Sequence, residues 1–401
     1  MKPDDAVAPR LNVDLYDPGN LARPWDMLRS IREAGPLVWN EQGFWMTGHD
    51  RVCRQVLNSP DQFGQEGLIA SLFGEEAFIS IDERAMHNAL RNVWVAAFGS
   101  RGVERLVPFV RDAIVDLADG VVEELSGGGQ VDIMARLCRP LPAVVIARMM
   151  GVAPDMVPVV IAWSDAMADA TSGGFPIDYA NDPAWLASEA AKRDLGDYIR
   201  DQIRYRRGNP GEDLVSMMVG SDIARTLSDE ALMVNIRQLL FAGNETTAKW
   251  LGHIVVTLAE DADLRGELRQ TADLIPDAVE EVLRWQGVTQ VLPRGVMKDG
   301  AQVAGVALPQ GAQIILLIGA AGRDPARWDA PDRFDLHRAK KPHLAFVFGL
   351  HSCLGATLAR MEAREFTDAL LRRVPDFRVA RPVTFGNFSL RGPASIVIER
   401  A

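Results

Sequence analysis

Cysteine is scarce: Cys53, Cys138 and Cys353 are the only three in 401 residues. So small and odd a set builds no disulfide framework, and the fold must rest on its core. Long apolar runs are missing too. The longest, such as Ile314–Ala321, are far too short to span a bilayer. The first residues, Met1–Leu11, lack the charged-then-apolar pattern of a signal peptide. Together these absences predict a cytoplasmic protein with no membrane partner. Positive charge is in deficit, 43 Lys and Arg against 54 Asp and Glu, and the net charge of −11 argues against nucleic acid as a partner. No Pro/Gly/Ser-rich linker, internal repeat or low-complexity tract divides the chain, and Ser126–Gly129 is only a short loop. With 48% hydrophobic residues the chain is long enough for one large core or two modest ones.

What is present is mostly helical periodicity. Helical patterns are expected over 24–33, 50–57, 86–98, 101–125, 138–150, 154–170 and 185–207. Cys53 and Cys138 fall within such patterns and read as core residues. Residues 37–47 alternate around Gln42-Gly43 and read as a hairpin. A long irregular stretch, rich in Gly and Phe, is expected over 58–82, and a second loop-like segment over 171–184. The longest helix is expected over 228–260, with Ser228 as its cap. At 1.5 Å per residue it spans roughly 45–50 Å. A helix near 275–285, strands and turns over 288–318, a helix from Cys353 to about Arg372 and short closing strands complete the pattern. The fold class is mainly α with small β-sheets.

The most informative stretch is Phe346-Val-Phe-Gly349-Leu-His351-Ser-Cys353-Leu-Gly355. It sets one cysteine among glycines, just before an amphipathic helical pattern. Unpaired N–H groups and the positive end of a helix favour thiolate over thiol there. A thiolate in a glycine-rich loop is suited to ligating a metal. A lone cysteine is more often simply buried, but this loop context favours the ligand.

The stretch resembles the haem-binding loop of the cytochrome P450 family, Phe-Gly-x-Gly-x-His-x-Cys-x-Gly. Phe346, Gly349, His351, Cys353 and Gly355 match; Val347 stands where the family usually has glycine. The resemblance implies a cytochrome P450 fold in a single domain over 1–401. It makes 346–355 the haem-thiolate loop, 228–260 the oxygen-activating helix, and 58–82 and 171–184 substrate-access loops. It implies haem b (iron protoporphyrin IX) as cofactor and Cys353 as the iron ligand.

Within the long helix, Ala242-Gly243-Asn-Glu245-Thr246-Thr247 interrupts an apolar run. Taken alone, Thr246 would bond back to the carbonyl near Ala242. The resemblance instead makes Thr246 the hydrogen-bonding partner of dioxygen and Glu245 its proton relay. Ala242 and Gly243 leave room for oxygen. It also makes His87, Arg91, Arg294 and His351 the cations that hold the two propionates. Glu281, Arg284 and Arg333 take a structural role supporting the cysteine loop. The family's Asn-Arg-Asp-Pro appears here as Gly322-Arg323-Asp324-Pro325.

The resemblance also implies a reaction: one atom of O₂ enters a C–H bond, by hydroxylation or O-demethylation. No flavin or iron–sulfur segment follows Cys353. Electrons are therefore expected from an iron–sulfur ferredoxin, or a flavodoxin, with its NAD(P)H-dependent reductase. Arg360, Arg364, Lys340 and Lys341 are candidates for the docking face. The substrate pocket is expected from Leu68, Ile69, Leu72, Phe73, Leu239, Val288, Val291, Leu292 and Leu390. The set is apolar, and 58–82 has no cation to hold a carboxylate. A small to medium apolar or aromatic substrate is expected. Three other readings are weighed: peroxide-driven oxygenation, disfavoured by the intact Glu245-Thr246; a haem-thiolate sensor, which would not need that pair; and a Cys353–His351 hydrolase, for which no orienting acid is evident.

Overall fold

The helices that dominate the sequence pattern dominate the structure, a computed structural model that describes residues 8–65, 68–170, 181–374 and 376–401. In chain order they cover Trp25–Ala34 (α1), Asp50–Leu57 (α2), Leu68–Phe73 (α3), Arg84–Phe98 (α4), Ser100–Glu104 (α5), Val107–Ser126 (α6), Pro140–Met150 (α7) and Val157–Asp169 (α8). Pro183–Gly208 (α9), Leu214–Val219 (α10), Asp229–Glu260 (α11), Ala262–Gln270 (α12), Ile275–Gln286 (α13), Ile318–Ala321 (α14) and Ala356–Arg373 (α15) follow. Among the described residues no helix is long and apolar enough to cross a membrane.

Contacts divide the chain into two units. The first holds residues 1–88, 283–353 and 388–391. Its frame is a six-stranded sheet built from Arg10–Leu11 (β1), Val38–Asn40 (β2), Phe44–Thr47 (β3), Phe63–Gly64 (β4), Val291–Val296 (β5) and Gln313–Leu317 (β6), in the order β1-β2-β3-β6-β5-β4. The expected hairpin is there: β2 and β3 pair antiparallel, Val38 opposite Met46. Two apolar clusters pack on this sheet. One gathers Trp39, Trp45, Val52, Cys53, Leu57, Phe63, Ile314 and Leu344. The other gathers Leu28, Ile31, Val38, Met46, Leu317 and Phe388.

The second unit holds residues 89–282, 354–387 and 392–401. It is helical, with α11 packed against α7, α8, α9 and α15. Ser228 caps α11 as expected, its Oγ accepting from Ala231 N–H at 3.0 Å. A π-helical turn over Met134–Cys138 leads into α7. Cys138 is fully buried there, and Cys53 is fully buried in the first unit.

Two expectations need correction. The stretch 58–82 is not irregular throughout: it contains β4, α3 and a 3₁₀ turn at Phe78–Ser80. Its apolar Leu68-Ile-Ala-Ser-Leu-Phe run is too short for a clear period, which is why the helix was hidden. Of the loop expected over 171–184, residues 171–180 lie outside the described residues. Asp182 caps α9, its Oδ1 accepting from Trp185 N–H at 2.7 Å, so Pro183 already belongs to the helix.

Candidate active site

The cysteine loop is held by its own backbone. Cys353 N–H donates to Phe346 O at 2.9 Å, Ser352 N–H to Gly349 O at 3.1 Å and Val347 N–H to Leu344 O at 2.8 Å. Gly349 has φ of +80°, and a Cβ there would lie 2.6 Å from Leu57 O, so glycine is required. Val347 also sits in left-handed backbone, at φ 58°. A β-branched residue is a genuine outlier there, and its side chain packs on the first unit's sheet core. Gly355 caps α15, with open space where its Cβ would be. Cys353 is exposed two residues before that cap.

Only one of the three thiols suits a metal. Cys53 and Cys138 are fully buried, and burial pushes both thiols far up. Within the same unit as Cys353 three basic side chains, His87, His351 and Arg294, lie in the interior. His87 is fully buried, with Nδ1 2.8 Å from Phe78 O. Its ring meets that of His351 edge-on at 4.7 Å. Arg294 is 4% exposed; its guanidinium donates to Gln65 Oε1 at 2.9 Å, and burial pulls it down to about 10. Arg91 is half-buried one turn beyond His87 on α4. The site also holds an acid that the sequence did not single out: Asp82 Oδ1 is 2.9 Å from His351 Nε2, and its Oδ2 accepts from Gln65 N–H at 2.6 Å. An exposed thiol and buried basic side chains fit a group that offers a metal and carboxylates.

On α11 the feature lies in mid-helix. Between Ala231 and Leu258, Ala242 is the one exposed residue; Gly243 and Thr246 are half-buried. Thr246 Oγ1 donates to Ala242 O at 3.0 Å. The next turn adds a residue missed in the sequence. Lys249 Nζ lies 2.5 Å from Glu245 Oε1, with both side chains nearly buried. This i,i+4 pair was legible in the spacing alone.

Glu281 and Arg284 are both buried on α13. Arg284 donates to the carbonyls of Gly322, Pro331 and Arg333 at 2.7, 3.0 and 3.1 Å. Arg333 thus contributes its carbonyl, while its side chain is exposed. Among the apolar candidates, Ile69, Phe73, Leu239 and Val288 are buried and Leu72 and Leu390 partly so. Leu292 and Val291 pack on the two sheet clusters. The side chain of Leu68 lies outside the described residues. Of the docking candidates, Arg360 pairs with Glu280 at 2.7 Å and Lys341 reaches Arg327 O at 3.1 Å.

A thiol loop closed by glycines, with buried basic side chains beside it, fits a haem-thiolate enzyme. The family model for cytochrome P450 matches residues 44–382, and the chain belongs to that family of monooxygenases. It is 32% identical to the cytochrome P450 monooxygenase PikC of Streptomyces venezuelae, over 98% of this chain and 95% of the relative. It is 34% identical to the mycinamicin IV hydroxylase/epoxidase of Micromonospora griseorubida, over 78% and 77%. Among solved structures, CYP109E1 of Bacillus megaterium in complex with corticosterone is 27% identical, with a TM-score of 0.82 over 95% of this chain and 99% of that one. The family implies haem, O₂, an organic substrate and a redox partner.

Proposed function

We propose that this cytochrome P450 uses haem b to insert one atom of O₂ into a C–H bond of a small to medium apolar or aromatic substrate. Electrons come from a ferredoxin or flavodoxin and its NAD(P)H-dependent reductase, in the cytoplasm. The other oxygen atom leaves as water, with two electrons and two protons consumed. If the attacked carbon is an O-methyl group, the hydroxylated product is a hemiacetal that collapses to an alcohol and formaldehyde.

The observation that carries this reading is the α11 turn: an exposed Ala242 followed by Glu245 and Thr246 in an otherwise buried helix. Haem with a thiolate ligand supplies the electron push that favours O–O cleavage. The chain supplies the rest. Cys353 would offer the thiolate, its backbone N–H tied to the Phe346 carbonyl and its loop shaped by the glycine turn. Arg294, His87, His351 and Arg91 hold the propionates, and Asp82 orients the His351 ring. Phe346 and Gly355 flank the sulfur in the chain. The Thr246 hydroxyl has its proton on Ala242 O, so its lone pairs are available to a protonated oxygen, and rotation turns it into a donor. Glu245 carries protons toward it. Glu281, Arg284 and Arg333 brace the segment that leads to the loop.

The apolar character of Ile69, Leu72, Phe73, Leu239, Val288, Val291, Leu292 and Leu390 supports an apolar substrate, as does the corticosterone held by the Bacillus megaterium structure. Thr246→Ala tests the reading. Reductant consumption should persist, while the oxygen reduced should shift from water and product to hydrogen peroxide, by about tenfold or more for a lost proton-transfer partner. Unchanged partitioning would contradict the role of Thr246.

A further inference from the structure

The backbone bonds of the Cys353 loop give it a shape but not a place. Those from Val347, Ser352 and Cys353 N–H all end on carbonyls of the same stretch, Leu344, Gly349 and Phe346. The tip is open to water, with Phe348 44% exposed, and Val347 stands in left-handed backbone. A strained, exposed loop persists only when its surroundings over-determine it. Here α2 supplies them. Val347 packs on the cluster that holds Val52, Val56 and Leu57 of that helix. The Gly349 position lies against Leu57 O. Between these two contacts the Arg54 guanidinium stands over the Phe348 ring, 5.6 Å from its centre. Residues 347, 348 and 349 are thus each held by α2 or by the cluster it belongs to.

Arg54 is itself fixed. Its Nε and Nη2 donate to the two Asp50 oxygens at 2.7 and 3.2 Å, a forked grip on one carboxylate. Nη2 also donates to Pro342 O at 2.7 Å, four residues ahead of Phe346. Arg327 Nη2 reaches the same carbonyl at 3.2 Å. The Arg54 and Asp50 side chains are only 21% and 7% exposed, so this pair escapes most of the screening that weakens surface ion pairs. Asp50 N–H in turn donates to Asp324 Oδ2 at 2.8 Å. Asp324 is buried and belongs to Gly322-Arg323-Asp324-Pro325, a motif that none of the reaction steps uses. A continuous run of contacts therefore leads from that motif through Asp50 and Arg54 to Pro342 and Phe348, on either side of the turn before the ligand.

We propose that Arg54 is the positioning residue of the Cys353 loop: tied to Asp50 and Asp324, it holds Pro342 and Phe348 and so keeps the sulfur in place for the iron. This rests on the reading of Cys353 as the iron ligand. Arg54 acts through Pro342 and Phe348, not on the reacting atoms. Lysine has the charge but not the planar fork, so it replaces the grip only in part.

The test uses haem-loaded protein, reduced under carbon monoxide, freed of excess dithionite and titrated with urea. The red-shifted Soret band follows thiolate ligation, and far-ultraviolet circular dichroism follows the fold. In Arg54→Met the thiolate band should disappear at lower urea than the fold, with a wider gap between the two midpoints than in the wild type. At a fixed urea concentration below unfolding it should be lost about tenfold faster, as expected for one charge-assisted hydrogen bond. Phe348→Leu, which removes the ring beneath the guanidinium, should widen the gap less, and Arg54→Lys should fall between Arg54→Met and the wild type. These two variants carry the test if Arg54→Met fails to load haem. Equal shifts of both midpoints would mean that Arg54 merely stabilises the fold, and would overturn the proposal. Wild-type midpoints with slower reduction by a ferredoxin would make Arg54 a surface charge for the redox partner, and would overturn it too. If the wild type itself never showed the red-shifted band, the reading of Cys353 would fall, and this proposal with it.

Discussion

Val347 shows how one residue can act against its own backbone. Left-handed φ costs a β-branched residue about 1–3 kcal/mol. The half-buried side chain recovers roughly 0.7 kcal/mol, half of what full burial of a valine contributes. Backbone strain therefore outweighs the gain from burial. Val347→Gly should raise the stability of the protein by about 0.5–1 kcal/mol, read as a higher denaturant midpoint at constant m-value. A fall of that size would show that packing dominates. Glu362 is the opposite case, a carboxyl 2% exposed on α15 with Oε2 unbonded. Burial pushes it up to about 8. A carboxyl raised in the folded state holds its proton there after the unfolded chain has lost it. Stability therefore declines as pH rises from about 4.5 toward 8. Glu362→Gln should flatten that decline, stabilising more at pH 8 than at pH 5 in parallel urea melts. Equal slopes in both proteins would mean that Glu362 ionises in place.

At the scale of elements, α11 organises the second unit, packed against four other helices, and carries the Glu245-Thr246 turn on which the proposed chemistry rests. Its start depends on Ser228, whose hydroxyl accepts one of the helix's free N–H groups. Ser228→Ala should cost about 1 kcal/mol without altering the haem spectrum; a change in the spectrum would mean that the cap reaches further than its own turn. This helix was legible in the sequence because cap, length and periodicity agree, and so were α2, α13 and the β2–β3 hairpin. The Cys353 loop and the Glu245-Thr246 turn were legible because their spacing is local. The helix α3 was not, since six apolar residues fit helix and strand alike. Asp82 was also hidden. Nothing near it in sequence marks it, and it gains meaning only when the fold brings it to His351. Lys249 could have been found, lying one turn from an acid already singled out.

At the scale of the whole molecule, the central claim is that one chain holds haem through Cys353 and activates oxygen with α11. Composition contributes little to this: a net charge of −11 argues against nucleic acid and names no partner. The observations behind it are an exposed thiol with buried basic side chains in its own unit and, taken separately, the Glu245-Thr246 turn of α11. The most direct measurement is the absorption spectrum of the purified, dithionite-reduced protein under carbon monoxide, beside that of Cys353→Ser. A strongly red-shifted Soret band in the wild type, lost in the variant, is the expected result. A band at the position typical of histidine-ligated haem, or no haem at all, would contradict the claim.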